Sequence, residues 1–208
     1  MPFNNAPKVE LPAEMQMYGK RLQRSFFVRH TLTVARGLLG KILIRKIGNG
    51  KLAGRIVETE AYIGPKDKAS HSYNGKITPR NKTEYLEGGH IYIYLCYGMY
   101  WQLNITTTGE GEPECVLIRA VEPVDATGLS LVNITNGPGK LCRWLKLDKS
   151  FNEEDLSESK RIWLESGRDT IEKSQIVATK RIGIDYAGSW AQKPWRFYIA
   201  NNPYVSKK

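Results

Sequence analysis

The clearest patterning in the chain lies between residues 90 and 107. Ile91, Ile93 and Leu95 alternate with Tyr92, Tyr94 and Cys96; Tyr97-Gly98-Met99 interrupts, and Tyr100 to Thr107 resumes. Successive strand side chains point to opposite faces, so this pattern predicts a hairpin with Tyr97 and Met99 at or near its tip. Apolar groups on such a tip are unfavourable unless something covers them. A second hairpin precedes it: Lys41 to Ile47 alternates, Gly48-Asn49-Gly50 turns, and Leu52 to Tyr62 returns antiparallel. Glu114 to Val121 reads as a further strand ended by Glu122-Pro123. Arg181 to Ile184 and Trp195 to Ile199 read as closing strands.

Helical spacing is rarer. Leu32, Ala35 and Leu38/Leu39 repeat at helical intervals, with Thr31 placed to cap and Gly40 to stop. Gly137-Pro138-Gly139-Lys140 opens a short helix through Leu141 to Leu147, and a weaker one is expected over 155–166. Residues 63–89, rich in Gly, Pro, Lys and Asn, form a loop too long to be only a connector. No repeat, low-complexity tract or composition break divides the chain. The expectation is one α+β domain over 18–208: a mixed, mostly antiparallel curved β-sheet with flanking helices and a protruding β-hairpin. Residues 1–17, with Pro2, Pro7 and Pro12, read as a flexible arm.

Charge narrows the class of partner. Across 208 residues, 31 Lys and Arg face 21 Asp and Glu, a formal net charge of +10. That excess points to a polyanion, nucleic acid ahead of an anionic membrane surface. No apolar run approaches the roughly 20 residues of a spanning helix, and the N-terminus has no signal-peptide pattern. Cys96, Cys115 and Cys142 form no C-x-x-C pair, which suits reduced thiols in a protein that is not secreted. His30, His71 and His90 lack metal-ligand spacing, so no metal is expected.

One strand carries candidate chemistry. In Arg55-Ile56-Val57-Glu58-Thr59-Glu60-Ala61-Tyr62, period two puts Glu58, Glu60 and Tyr62 on one face. A carboxylate beside aromatic groups is where a general base can be held partly desolvated. Tyr62, His71, Tyr92 and Tyr94 could stack a flat ligand. Arg119 sits in an otherwise apolar strand centre, where a guanidinium needs a partner such as Glu60. Pro79-Arg80-Asn81-Lys82 and Gly139-Lys140 place cations where phosphate could be met. Each feature also has a plainer reading: solvated carboxylates, a half-buried tyrosine face, a satisfied loop histidine, a structural ion pair, a solvated helix lysine. Together they suit an enzyme that draws a base out of a duplex, which needs a cationic surface, a wedge, an aromatic slot and one acid–base group. A non-catalytic nucleic-acid-binding module would leave Glu58, Glu60 and Arg119 without a role, and a metal-dependent nuclease needs a tighter Asp/Glu cluster.

The motifs Glu58-Thr59-Glu60-Ala61-Tyr62, Ala69-Ser70-His71-Ser72, Thr78-Pro79-Arg80-Asn81, Tyr97-Gly98-Met99-Tyr100, Leu117-Ile118-Arg119-Ala120-Val121-Glu122-Pro123, Gly137-Pro138-Gly139-Lys140-Leu141 and Arg181-Ile182-Gly183-Ile184 resemble, in order, the alkyladenine (3-methyladenine) DNA glycosylase family. The resemblance runs from about Arg21 to Ser206. It implies that Glu60 activates the attacking water, with Arg119 and the Ile182 carbonyl helping to hold it. Tyr62, His71 and Tyr94 would sandwich the flipped base, and Asn104 would line the pocket floor. Tyr97 would be the wedge, flanked by Met99 and Tyr100, while Arg80 and Lys140 would contact phosphates. The implied reaction is hydrolysis of the N-glycosidic bond of a damaged purine in double-stranded DNA: 3-methyladenine, 7-methylguanine, hypoxanthine or ethenoadenine. No cofactor is expected, and no lysine has a recognisable Schiff-base setting, so the strand would not be nicked. A protein scanning a duplex can work as a monomer without a protein partner; its compartment would be the cytoplasm of a bacterium or the nucleus of a eukaryote. Neutral lesions would also need a proton or hydrogen-bond donor, for which no residue stands out. Where longer family members carry a basic segment, Val124 to Asn136 is short and nearly uncharged.

Overall fold

The computed structural model describes residues 18–124 and 132–207. The arm expected over 1–17, and most of the short segment after Val124, lie outside the described residues. In chain order the elements are α1 (Arg24–Phe27), α2 (Thr31–Gly37), β1 (Ile42–Ile47), β2 (Gly50–Ile63), β3 (Ile91–Cys96), β4 (Tyr100–Thr106), β5 (Glu114–Pro123), α3 (Val132–Thr135), α4 (Pro138–Trp144), β6 (Ile162–Glu165), β7 (Ile176–Thr179) and β8 (Arg196–Ile199).

The strands run β3-β4-β5-β2-β1-β6, and every pairing is antiparallel. β2 is the hinge of this sheet. Its first half pairs with β1, and its second half, Glu58 to Glu60, pairs with β8, while β5 runs along its other edge. β7 continues from β8, so the sheet forks and curls around the end of β2. The core is fully buried apolar surface: Val34 and Ala35 of α2 and Leu38 just after it meet Ile56, Val57, Ile118 and Ala120 in one cluster that Leu141 and Leu145 extend. Among the described residues no helix is long and apolar enough to cross a membrane.

Both hairpins form as their alternation predicts. Three local expectations do not hold. Thr31 is not a cap, since its hydroxyl turns into the core to meet Thr107 and Glu114. The stretch 155–166 is not a helix. Asp155 binds the backbone N–H and hydroxyl of Ser157, and Ser159 accepts from the N–H groups of Arg161 and Ile162. Such side-chain-to-backbone bonds compete with helical ones, and Ile162 to Glu165 instead forms β6 on the edge of β1. Arg181 to Ile184 is not a strand. Arg181 is drawn to Asp67, the Ile182 N–H goes to Glu60, and Gly183 adopts φ +75°, which leaves no ladder to build. The closing strand lies earlier, at β7.

Candidate active site

The site begins with an irregularity. Between β2 and β5 the register slips at Ile56/Glu58 and slips back at Glu58/Thr59, where Glu58 faces Ala120 and Thr59 faces Ile118. Arg119 is therefore left without a pairing partner on β5. Bulges re-aim side chains in this way. The Thr59 hydroxyl donates to the Ala35 carbonyl beneath the sheet, while Glu58, Glu60 and Tyr62 occupy the opposite face.

Neither carboxylate is solvated: Glu58 and Glu60 are both fully buried. Glu58 is saturated by cations and donors. Arg119 Nε lies 3.0 Å and Arg196 Nη1 2.7 Å from its Oε1, and the Ser206 N–H donates to Oε2 at 2.7 Å. Glu60 is held differently. It accepts the Tyr62 hydroxyl at 2.9 Å and the Ile182 N–H at 2.8 Å, with Arg119 Nη1 at 3.4 Å. Arg119, expected to pair with Glu60, thus bridges both carboxylates and lies closer to Glu58. Burial by itself lowers the Arg119 pKa, but the Glu60 and Glu58 charges outweigh it and raise the pKa. Behind Tyr62, the buried Arg181–Asp67 pair ties the loop after β2 to the segment carrying Ile182, and Arg181 also donates to the Ala61 carbonyl at 3.0 Å.

The aromatic wall comes from β3 and the long loop. His71 Nδ1 and the Tyr92 hydroxyl are 2.7 Å apart, and the His71 and Tyr94 rings meet edge to face with centroids 4.6 Å apart. Burial, reinforced by the Arg80 charge, lowers the His71 pKa to about 4, so the imidazole is neutral at pH 7. Burial likewise raises the Tyr62, Tyr92 and Tyr94 hydroxyls. Asn81 fixes the loop by donating to the His71 and Lys76 carbonyls at 3.1 and 2.8 Å. His71 and Tyr94 touch each other, so they form one side of a slot lined also by Tyr62 rather than two separate plates. Its inner end is a cavity of about 20 Å³ bounded by Tyr62, Ala69, His71, Glu84, Tyr92, Tyr94, Asn104 and Cys115. Its outer end opens into a groove of about 830 Å³ along which Arg119, Ile182, Arg80, Lys140, Tyr97 and Tyr100 are arrayed.

The hairpin tip is the reverse of this interior. Tyr97 is 86% exposed with φ +51°, and Met99 is 66% exposed. Tyr100 lies over Gly139, where an added Cβ would sit 2.9 Å from its ring. The missing side chain at 139 therefore lets α4 approach the hairpin. Arg80 stacks 4.8 Å from the Tyr94 ring centroid and donates to the Leu95 carbonyl. Lys140 donates to Asn136 at 2.9 Å. Asn104 spends its amide N–H groups on the Tyr92 and Gln102 carbonyls, leaving its oxygen toward the Cys115 thiol at 3.9 Å. Among the described residues no three His, Cys, Asp or Glu converge as a metal-binding group. A separate cleft of about 400 Å³ near Tyr18, Arg55 and Glu122 contains none of these residues.

Of the twelve positions to which the resemblance gives a role, ten line the cavity or the groove; Glu60 lies behind them, bonded to Tyr62 and Ile182, and Met99 stands at the hairpin tip. Glu84 and Cys115 escaped the sequence reading, because a glutamate in Lys82-Thr83-Glu84-Tyr85 reads as a solvated loop charge.

The sequence has known counterparts. Residues 25–203 match the methylpurine-DNA glycosylase family. The chain belongs to that family. It is 46% identical over 205 residues to a protein of Desulfitobacterium hafniense provisionally named 3-methyladenine DNA glycosylase, covering 91% of this chain and all of that one. It is 43% identical to the DNA-3-methyladenine glycosylase of Mus musculus and 41% identical to that of Homo sapiens, in each case over 89% of this chain. The matched regions are 61% and 68% of the mouse and human proteins, so the mammalian glycosylases extend beyond the region they share with this family member.

Proposed function

We propose that this protein removes alkylated and deaminated purines from double-stranded DNA by hydrolysing the N-glycosidic bond, and that Glu60 activates the water. The observation that carries this reading is the holding of Glu60: a fully buried carboxylate fixed by Tyr62, Arg119 and the Ile182 N–H, each of which lines the groove. An ionised carboxylate has about four acceptor positions. Three are occupied, and this reading assigns the fourth to the attacking water, which would reach it from the groove that Tyr62, Arg119 and Ile182 line. Its charge also opposes the positive charge that develops on the sugar as the bond breaks, as in glycoside hydrolysis.

The other residues divide the remaining work. Tyr62, His71 and Tyr94 stack the extruded base, and a cationic lesion gains from the ring faces. Tyr97 fills the gap left in the stack, supported by Met99 and Tyr100, and Arg80 and Lys140 meet phosphates. Asn104 faces the base edge at the inner end. The partner is a duplex carrying the lesion, engaged by a monomer.

The test is single-turnover base release from duplexes carrying one hypoxanthine or one 3-methyladenine, in the presence of chelator. The native protein is expected to leave alkali-sensitive sites without nicking the strand. Glu60→Gln should lower release at least ~10²-fold, the low end for a general base, while duplex binding persists. Binding without release of either base by the native protein would replace this reading with a non-catalytic DNA-binding role. Strand breaks abolished by chelator would replace it with a nuclease.

A further inference from the structure

Among the described residues, three buried side-chain atoms lack a hydrogen-bond partner: Arg45 Nε, Arg181 Nε and Glu84 Oε2. The first two belong to guanidinium groups bonded through other nitrogens, Arg45 through Nη1 and Arg181 through Nη1 and Nη2. Glu84 is different. It is 2% exposed, its Oε1 accepts the weak Cys115 thiol at 3.6 Å, the Asn81 side chain also acts on the carboxyl, and the residue lines the inner cavity. An unpartnered buried carboxyl oxygen is expensive to maintain. At this place it is an unused hydrogen-bonding position on a residue that lines the space the leading edge of a base would enter.

The surroundings decide its protonation state. Facing Glu84 are Tyr92 and Tyr94 of β3, Asn104 of β4, Cys115 of β5, and His71, Asn81 and Arg80 of the long loop. The tyrosines and the thiol are neutral at pH 7 because burial raises them, His71 is neutral because burial lowers it, and Arg80 is a fixed cation. Burial raises Glu84 to about 7, with Cys115, Asn81 and Arg80 pulling weakly the other way. Of the groups lining the cavity with a resolved shift, Glu84 alone titrates near neutrality.

We propose that Glu84 is a specificity-determining acid for the excision reaction: as the neutral carboxyl it donates a hydrogen bond, and then its proton, to the inner edge of a neutral purine. This assignment rests on the reading of the groove as a base-excision site. In the step, the Glu84 O–H bond breaks as the purine edge gains the proton, and the pair of the glycosidic bond leaves with the base. The water oxygen bonds to the sugar carbon, and Glu60 takes the water proton. Solvent then returns a proton to Glu84 and removes one from Glu60. A cationic purine is already activated, and the ionised carboxylate suits it instead.

The experiment measures single-turnover release of hypoxanthine and of 3-methyladenine between pH 5.5 and 8.5. The ratio of the two rates cancels any titration of Glu60, since both lesions depend on it. For the native protein the ratio is expected to fall as pH rises through about 7. Glu84→Gln, isosteric but unable to give up a proton, should lower hypoxanthine release ~10²-fold at pH 6. It should slow 3-methyladenine by a smaller factor, so that the ratio drops at least tenfold and no longer bends with pH. A ratio that is flat in the native protein, or that bends unchanged in Glu84→Gln, overturns the proposal. The native pH series stands alone if the variant fails to fold. Loss of both releases in the native protein would instead indict the excision reading itself.

Discussion

The interior wall around Glu58, behind the groove residue Arg119, and the tip around Tyr97 on the same groove are built on opposite principles. At the wall every charge has a partner: Glu58 takes two arginines and two Ser206 donors, and Arg119 bridges to Glu60. At the tip a tyrosine and a methionine stand mostly in solvent. Taking charges out of water is costly, and only full pairing makes it tolerable, so the wall is a structural commitment that fixes Glu60 in place. The tip contributes little to the fold. Its exposed apolar surface makes physical sense only when a partner covers it. Stability and the proposed recognition role thus lie in different places, and substitutions should separate them too.

The strongest test of that contrast is Glu58→Ala. Removing the carboxylate strands Arg119 and Arg196 as buried cations, and breaking such a network costs about 3–5 kcal/mol. Urea unfolding should register this, and base release should fall with it because Arg119 is no longer fixed.

Glu84 gives a pH-dependent version at the inner end. Its folded pKa, about 7, lies above the ordinary 4.5. The folded state therefore holds the proton more tightly, and its burial destabilises the fold progressively as pH rises from about 4.5 to 7. Glu84→Gln removes that dependence. The difference in unfolding free energy between variant and native protein should grow by on the order of 3 kcal/mol between pH 4 and pH 8. A difference independent of pH would show that the group titrates normally.

At the tip the pattern inverts. Tyr97→Ser should slow excision from a well-paired duplex by ~10- to 100-fold, a share of the few kcal/mol needed to extrude a base. The loss should be smallest in mismatched or single-stranded substrate. An equal loss in every context would remove the wedge role. Its stability should change by no more than about 0.5 kcal/mol, as for an exposed site. The smallest effect is expected at Lys140→Ala, which should weaken duplex binding irrespective of sequence and reduce the salt slope by about one.

The legibility of these features in the sequence follows their range. Alternation over 91–106 specified the hairpin and its exposed tip, because strand geometry is written in adjacent residues. The helix expected over 155–166 failed because Asp155 and Ser159 capture nearby backbone groups that a helix would need. The strand expected at 181–184 failed for a longer-range reason, since Arg181 and Ile182 serve Asp67 and Glu60, more than a hundred residues earlier.

The chain by itself determined a basic, single-domain α+β protein with a carboxylate strand, an aromatic set and an exposed hairpin, because charge, period and turn chemistry are local. Only the tertiary structure decided how each carboxylate is held. Glu58, Glu60 and Glu84 are the same residue type, and in sequence each passes for a solvated charge. Their surroundings separate through partners brought from distant segments: two arginines saturate Glu58, one arginine with a tyrosine and a backbone N–H holds Glu60, and Glu84 keeps one buried oxygen without a partner. Burial and pairing set the chemistry of a carboxyl group, and both are properties of the folded chain.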